Sequence, residues 1–156
     1  LNHIYLENPA LWEVDDSWEG FEWIVTDDRE NSIFAYARYA KEQRQTIVSV
    51  LNMTPASYKN YRLPVLHPGR YRLILNSDDA QYQGSGYADL EQGNTVFWTS
   101  DDKEGERLSL EDKMRDLASP LEAEKDAADS GLGYYIDMPL PPLAGLYLVY
   151  EGEEKN

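Results

Sequence analysis

From Ser32 onward the alternation of apolar and polar positions predicts strand after strand. Ile33 to Ala40 (IFAYARYA) sets apolar residues against small or polar ones with the period of two that a half-buried strand carries. A polar turn, KEQRQ, leads into the β-branched run Thr46 to Met53, so the two predict a hairpin with a loop longer than the two-residue minimum. Pro55 ends the second strand, because proline cannot donate to a ladder. Tyr61 to Val65 is the next strand, and the turn His67-Pro68-Gly69 opens another from Arg70 to Asn76. A polar, glycine-rich loop covers Ser77 to Asp89. Further strands follow at Thr95 to Trp98, Tyr134 to Met138 and Gly145 to Tyr150, the last two joined by a rigid PLPPL stretch. Short strands, polar turns and little helical periodicity predict an all-β fold, an antiparallel β-sandwich.

Two stretches break the pattern. The opening LNHIYLENPALW puts Leu1, Ile4 and Tyr5 on one helical face and stops at Asn8-Pro9, which predicts a short N-terminal helix tail. A chain that begins at Leu1 inside a helix reads as a piece of a longer protein. From Asp101 to Gly133 charge crowds the sequence, while Leu110, Met114, Leu117 and Leu121 recur at helical spacing. Ser109 and Asp112 stand as a capping box, and Pro120 ends or kinks the helix. The expected organisation is therefore helix tail and linker over 1–20 and a sandwich over 21–156. A charged, partly helical insertion at 101–133 lies on the surface of that sandwich.

Composition narrows the function more than the fold. The 156 residues fit one domain, and 29 acids against 14 bases give a formal charge of −15. Such a chain repels phosphate backbones and anionic lipid, so neither nucleic acid nor membrane is an expected partner. The absence of cysteine excludes a disulfide framework, thiolate catalysis and cysteine-based zinc sites. It also suits a reducing, cytoplasmic setting. His3 and His67 stand far apart with no acid in register, too little for a histidine metal site or a catalytic triad.

The acidic pairs Asp15-Asp16, Asp27-Asp28, Asp78-Asp79 and Asp101-Asp102 lack calcium-loop spacing. Their residues suit turns, where aspartate bonds to its own backbone. Gly84-Ser85-Gly86 lacks the Lys-Ser/Thr ending of a phosphate loop, and Asn52-Met53-Thr54 matches a glycosylation sequon with no other sign of a secreted chain. No catalytic residue, metal site or cofactor is expected. Aromatic rings are the remaining functional material. Leu11, Trp12, Phe21 and Trp23 offer more apolar surface than a short tail can cover, the mark of an interface. Trp98, Tyr82 and Tyr87 sit on or beside strands, where flat rings can stack on sugar faces or simply pack.

Several phrases in order resemble the C-terminal part of bacterial glycogen branching enzymes, the 1,4-α-glucan branching members of the α-amylase superfamily. They are LNHIYLENPALW, EGFEWI, ENSIFAYAR, VSVLNMTP, YRLPVLHPGRYRLILNSD, YQGSGY and the closing LPPLAGLYLVYE. The resemblance covers nearly everything outside the charged insertion, where the family has a much shorter connection. It implies a non-catalytic C-terminal β-sandwich behind a catalytic (β/α)8 barrel, with residues 1–20 as the tail of the last barrel helix. It further implies that Leu11, Trp12, Phe21 and Trp23 face that barrel. Trp98, Tyr82 and Tyr87 would then be candidates for holding an α-glucan such as glycogen or amylose. The parent would be a glycosyltransferase of glycogen biosynthesis whose carboxylates lie upstream of Leu1. A free-standing carbohydrate-binding module and a protein-interaction β-domain are the alternatives.

Overall fold

The computed structural model describes residues 1–28, 31–101, 125–126 and 133–153. One short helix, α1 (Asn2–Glu7), precedes the strands β1 (Phe21–Asp28), β2 (Ile33–Tyr39), β3 (Thr46–Asn52), β4 (Tyr58–Val65) and β5 (Arg70–Asn76). They are followed by β6 (Val96–Trp98), β7 (Ser100–Asp101), β8 (Lys125–Asp126), β9 (Tyr134–Leu140) and β10 (Gly145–Gly152).

Alternation decides how the strands face. In β2, Ile33, Ala35, Ala37 and Tyr39 are buried while Phe34 is exposed. The strand pairs in unbroken register with β3, from Ile33 opposite Asn52 to Tyr39 opposite Thr46. One sheet runs β1-β2-β3-β10-β5-β6 and the second β7-β9-β4-β8. Neighbours are antiparallel, with β8 beside β4 the parallel exception. Val48, Val50, Leu73, Leu146 and Leu148 of the first sheet form one buried cluster with Tyr61, Leu63, Ile136, Met138 and Leu140 of the second. The two sheets therefore meet face to face as an antiparallel β-sandwich.

The strand Phe21–Asp28 is absent from the sequence reading, which places strands only from Ser32. Its register shifts twice against β2, between Trp23 and Val25 and again before Asp28. Such bulges destroy the period of two, and Glu22, Asp27 and Asp28 are residue types that strands disfavour. β4 likewise begins at Tyr58, three residues before the sequence-based boundary. In the charged segment, Asp101 pairs with Tyr134, so β7 forms the edge of the second sheet beside β9. Lys125–Asp126 runs as a strand against Tyr61 and Arg62, where helix or loop is expected. The helix expected over 109–121 lies outside the described residues.

The middle of the first sheet's outer face is covered by the start of the chain. α1 ends where Asn8 turns extended and its Nδ2 donates to the Ile4 carbonyl at 2.7 Å, as the Asn-Pro stop predicts. Ala10 then packs on Ile47, Ile74 and Val149, with Ile4 and Leu11 beside it. Arg38, on the outer side of β2, binds this segment along its length. Its guanidinium donates to the carbonyls of Ala10 (3.4 Å) and Val14 (3.5 Å) and to Asp15 (2.8 Å). Gln45 accepts from the Ala10 amide and donates to Asn8, while Glu13 pairs with Arg44 at 2.7 Å.

Buried tyrosines fasten the remaining corners. Tyr61 donates to Asp28 at 3.2 Å, joining β4 to the end of β1, and Asp28 also holds the side chain of Asn31 at 2.6 Å. Tyr39 donates to Glu22 at 2.6 Å, and Tyr71 to the His67 carbonyl at 3.0 Å. Tyr150 reaches the Pro68 carbonyl at 2.9 Å. Burial pushes the Tyr39, Tyr61 and Tyr71 phenols well above their ordinary range, and the neighbouring Glu22 and Asp28 reinforce it in the first two.

The Arg38 clamp gives a direct test. Arg38→Ala is expected to cost about 1–2 kcal/mol in urea unfolding, since it removes hydrogen bonds from a charged donor. Amide exchange should accelerate through residues 10–15 and stay slow in β3 and β10; unchanged exchange in the segment would refute the clamp.

Candidate functional site

The exposed rings occupy the outer face of the six-stranded sheet and the loop that closes one end of it. On β1 and β2, Phe21 stands in register with Arg38 and Trp23 with Tyr36. Phe21 stacks on Tyr36 at 5.3 Å, and Trp23 meets both rings edge-on at 5.0 and 6.0 Å. Trp23 remains 55% exposed and Phe34, two residues from Tyr36 on the same side, 38%. Trp12 is exposed as well, whereas Leu11 is half-buried against the N-terminal cluster. Across the sheet Tyr36 faces Ser49, which faces Tyr147. Tyr147 is raised to about 12, mainly by burial and secondarily by Tyr36.

Of the four residues taken from the sequence as an interface, the structure thus brings Phe21 and Trp23 into one patch. Leu11 serves largely as packing. Phe34 and Tyr36, outside those four, complete the patch. The alternation of IFAYARYA already puts both opposite the core residues, so the signal was present in the sequence.

Trp98 lies elsewhere on that face. β6 pairs with β5 so that Trp98 faces Arg70, Phe97 faces Tyr71 and Val96 faces Arg72. Because Phe97 packs on the core, Trp98 points outward, half exposed. Arg70 and Arg72 both bind Glu151, through Nε at 2.7 and 2.6 Å. Burial alone would raise the Glu151 carboxyl, but the bonds from Arg72 and Arg70 outweigh it and hold it below the ordinary range.

Tyr82 and Tyr87 belong to the loop after β5, organised by Asp78. This carboxylate accepts from the Ser85 amide and hydroxyl, both at 2.7 Å, and from the Tyr87 amide at 3.0 Å. The Gly86 amide donates to the Asp78 carbonyl at 2.9 Å. Gly84 passes so close that a Cβ there would sit 2.1 Å from that carbonyl, which only glycine permits. The amides that a phosphate loop would aim at a ligand are thus spent on Asp78. Burial would raise this carboxyl, yet the donors from Ser85 and Tyr87 hold it below its usual value. Gln83, Ala88 and Asp89 take φ of 65°, 63° and 47°, left-handed conformations that side chains rarely adopt. Tyr82 is exposed and Tyr87 half-buried. Six residue steps along β5 separate Arg70, beside Trp98, from Asn76 at the loop, about 20 Å at strand rise. The three candidate rings therefore form two separate stations.

The other motifs are absorbed locally. Asp15 pairs with Arg38, Asp28 with Asn31 and Tyr61, and Asp79 caps the turn at Gln81. Asn52 donates to Ala56 and Pro141 and accepts from Thr54, so the sequon amide is buried and fully engaged. His3 lies on α1, and His67 packs its ring 5.2 Å from Tyr150. Between α1 and β5 runs an open groove of about 420 Å³, with the buried Ile74 and Val149 on its floor and Arg72 and Gln92 also in its lining. Gln92 and Arg72 escaped the sequence reading, because nothing local marks them.

Known proteins resemble this chain along its length. The family model described as alpha amylase, C-terminal all-beta domain, matches residues 23–118. A protein of Pseudoalteromonas atlantica called 1,4-alpha-glucan branching enzyme GlgB is 34% identical over 153 residues, covering 98% of this chain and 17% of that protein. A namesake in Pseudomonas fluorescens is 40% identical over 118 residues, 76% of this chain and 15% of its own length. One from Saccharophagus degradans reaches 46% over 85 residues, 54% of this chain and 12% of its own length. The chain thus spans about one sixth of the length of the first of these relatives.

Asp78→Ala is expected to lower stability by about 2 kcal/mol, as bonds to a charged acceptor disappear, and to broaden the Tyr82 and Tyr87 resonances. The folded-state carboxyl is depressed, so its contribution is complete above the unfolded value and fades as pH falls through the folded one. An acid titration by NMR should show the Ser85 and Tyr87 amides shifting below the ordinary aspartate range. A midpoint at or above that range would contradict the arrangement.

Proposed function

This chain belongs to the family of alpha amylase C-terminal all-beta domains, and we propose that it serves as the non-catalytic C-terminal domain of a 1,4-α-glucan branching enzyme. The observation that carries the proposal is the aromatic patch of Phe21, Trp23, Phe34 and Tyr36, left open beside a face that the chain's own first residues already cover. Exposed apolar area of this kind, next to a covered one, fits a partner surface that continues the same packing. The partner we assign is a catalytic (β/α)8 barrel preceding Leu1 in the same protein. Residues 1–20 join the two, and 21–156 form the sandwich.

The parent chemistry would be cleavage of an α-1,4 bond through a covalent glycosyl intermediate, followed by transfer to a 6-hydroxyl. That double displacement uses paired carboxylates, which we place in the barrel. It fits this division that Asp15, Asp28, Asp78 and Asp79 are each engaged in local bonds. The setting that suits a cysteine-free chain in glycogen metabolism is the cytoplasm.

A second role, holding α-glucan, is favoured by the exposure of Trp98 and Tyr82. Sugars are neutral, so stacking and hydroxyl bonds must supply the affinity, about −4 kcal/mol for a Kd on the order of 1 mM. Weak, salt-insensitive retention in a glycogen-containing gel is expected. Identical mobility with and without glycogen would remove this role and leave the barrel contact.

For the main reading, purified chain incubated with amylose should form no α-1,6 linkages above a buffer control, and new linkages would overturn it. Trp23→Asp should cost about 1 kcal/mol in this chain, the value of its ring contacts. In the longer protein carrying the barrel it should cost about 2 kcal/mol more, as loss of a buried anchor does. Equal losses in the two proteins would mean that the patch has no partner.

A further inference from the structure

We propose that the groove beside α1 joins the Trp98 and Tyr82 stations into one continuous track for a linear α-glucan. The inference rests on the glucan-holding role above and gives it a path. Trp98 stands opposite Arg70 on the outer face of the sheet, and the next outward residue along β5 is Arg72, which lines the groove. Ile74 follows on the floor with Val149, both from the apolar cluster under α1. At the far end Gln92 lines the groove and accepts from the Tyr82 hydroxyl at 3.5 Å. Tyr82 is 41% exposed and Trp98 49%, so a flat ring stands at either end. The path follows β5 for about 20 Å, long enough for several glucose units.

Its lining suits a neutral polyol. The apolar floor of Ile74 and Val149 offers contact to the C–H faces of sugar rings, while the sides offer hydroxyl partners. Gln92 uses Oε1 to accept from Tyr82 and from the Asn76 amide, and its Nε2 donates to nothing among the described residues. The Arg72 guanidinium is steadied by one bond from Nε to Glu151 at 2.6 Å and donates to no other group among the described residues. Glu7, exposed at the end of α1, supplies an acceptor in the same lining. Donors and an acceptor in one lining match hydroxyl groups, which do both. The Asp78-bound loop holds the Tyr82 station in place before any ligand arrives, which limits the ordering cost of capture.

The track makes a statement about length that a single ring does not. A chain reaching both stations gains from each, whereas a short one gains from one only. Maltotriose and maltoheptaose are therefore titrated into the chain and followed by amide and side-chain NMR. Maltoheptaose should bind at least tenfold more tightly and shift the Gln92 side-chain amide together with the Trp98 indole. Gln92→Ala should weaken maltoheptaose at least fivefold and bring the two sugars closer in affinity, with the spectrum of the sheet unchanged. Trp98→Ala should do the same from the other end. Should wild type bind neither sugar, the glucan-holding role itself fails and the track with it. Should it bind both with equal affinity, or should Gln92→Ala leave maltoheptaose unaffected, the domain holds glucan at an isolated ring and the track is overturned.

Discussion

Everything in this fold depends on burying the middle of the six-stranded sheet on both sides. β3 and β10 lie at its centre, and their inner residues Val48, Val50, Leu146 and Leu148 are sealed by the second sheet. Their outer residues, Ile47 and Val149, would face water were it not for Ala10 and its neighbours. This explains why TIVSV and LYLV read as near-continuous apolar runs, as strands covered on both faces do. It also explains why Arg38 and Gln45 are committed to the backbone of Ala10 and Val14 and to the side chains of Asn8 and Asp15: a cover without a regular ladder needs fixed points.

That demand shapes the electrostatics. The chain carries a large acidic excess, yet Arg38, Arg44, Arg70 and Arg72 are each matched to an acid on the outer face. These four cations thus fasten segments to the sheet. A neutral ligand or an apolar partner suits such a face better than an anionic one.

How much of this could be read beforehand follows from range. β2 was legible because its unbroken pairing with β3 preserves the period of two, β3, β5 and β10 because short apolar, β-branched runs between turns mark strands, and the Asn-Pro stop of α1 because it is a local steric rule. β1 was not, since its bulges are set by the partner strand rather than by its own residues. The candidate rings could be picked by type, and the facing of Phe34 and Tyr36 by alternation. What no local rule reveals is that Asp78 organises residues seven and nine positions later. Nor does one reveal that Ile4, Arg72, Gln92 and Val149 meet in one groove. Those are products of topology.

The tyrosine fastenings set an upper limit on the pH at which this sandwich survives. Tyr39, Tyr61 and Tyr71 keep their protons in the folded state far beyond the point where a free phenol gives its own up. An unfolded chain loses those protons from about pH 10 upward. Between that point and the raised native values, every step in pH favours the unfolded state, and their stabilisation drains away together because linkage adds the three. Phenolate cannot donate to Glu22, Asp28 or the His67 carbonyl, and two of these acceptors are carboxylates that would repel it. The domain should thus resist mild base and then come apart over a narrow alkaline interval, its ultraviolet phenolate signal and its loss of sheet rising as a single event.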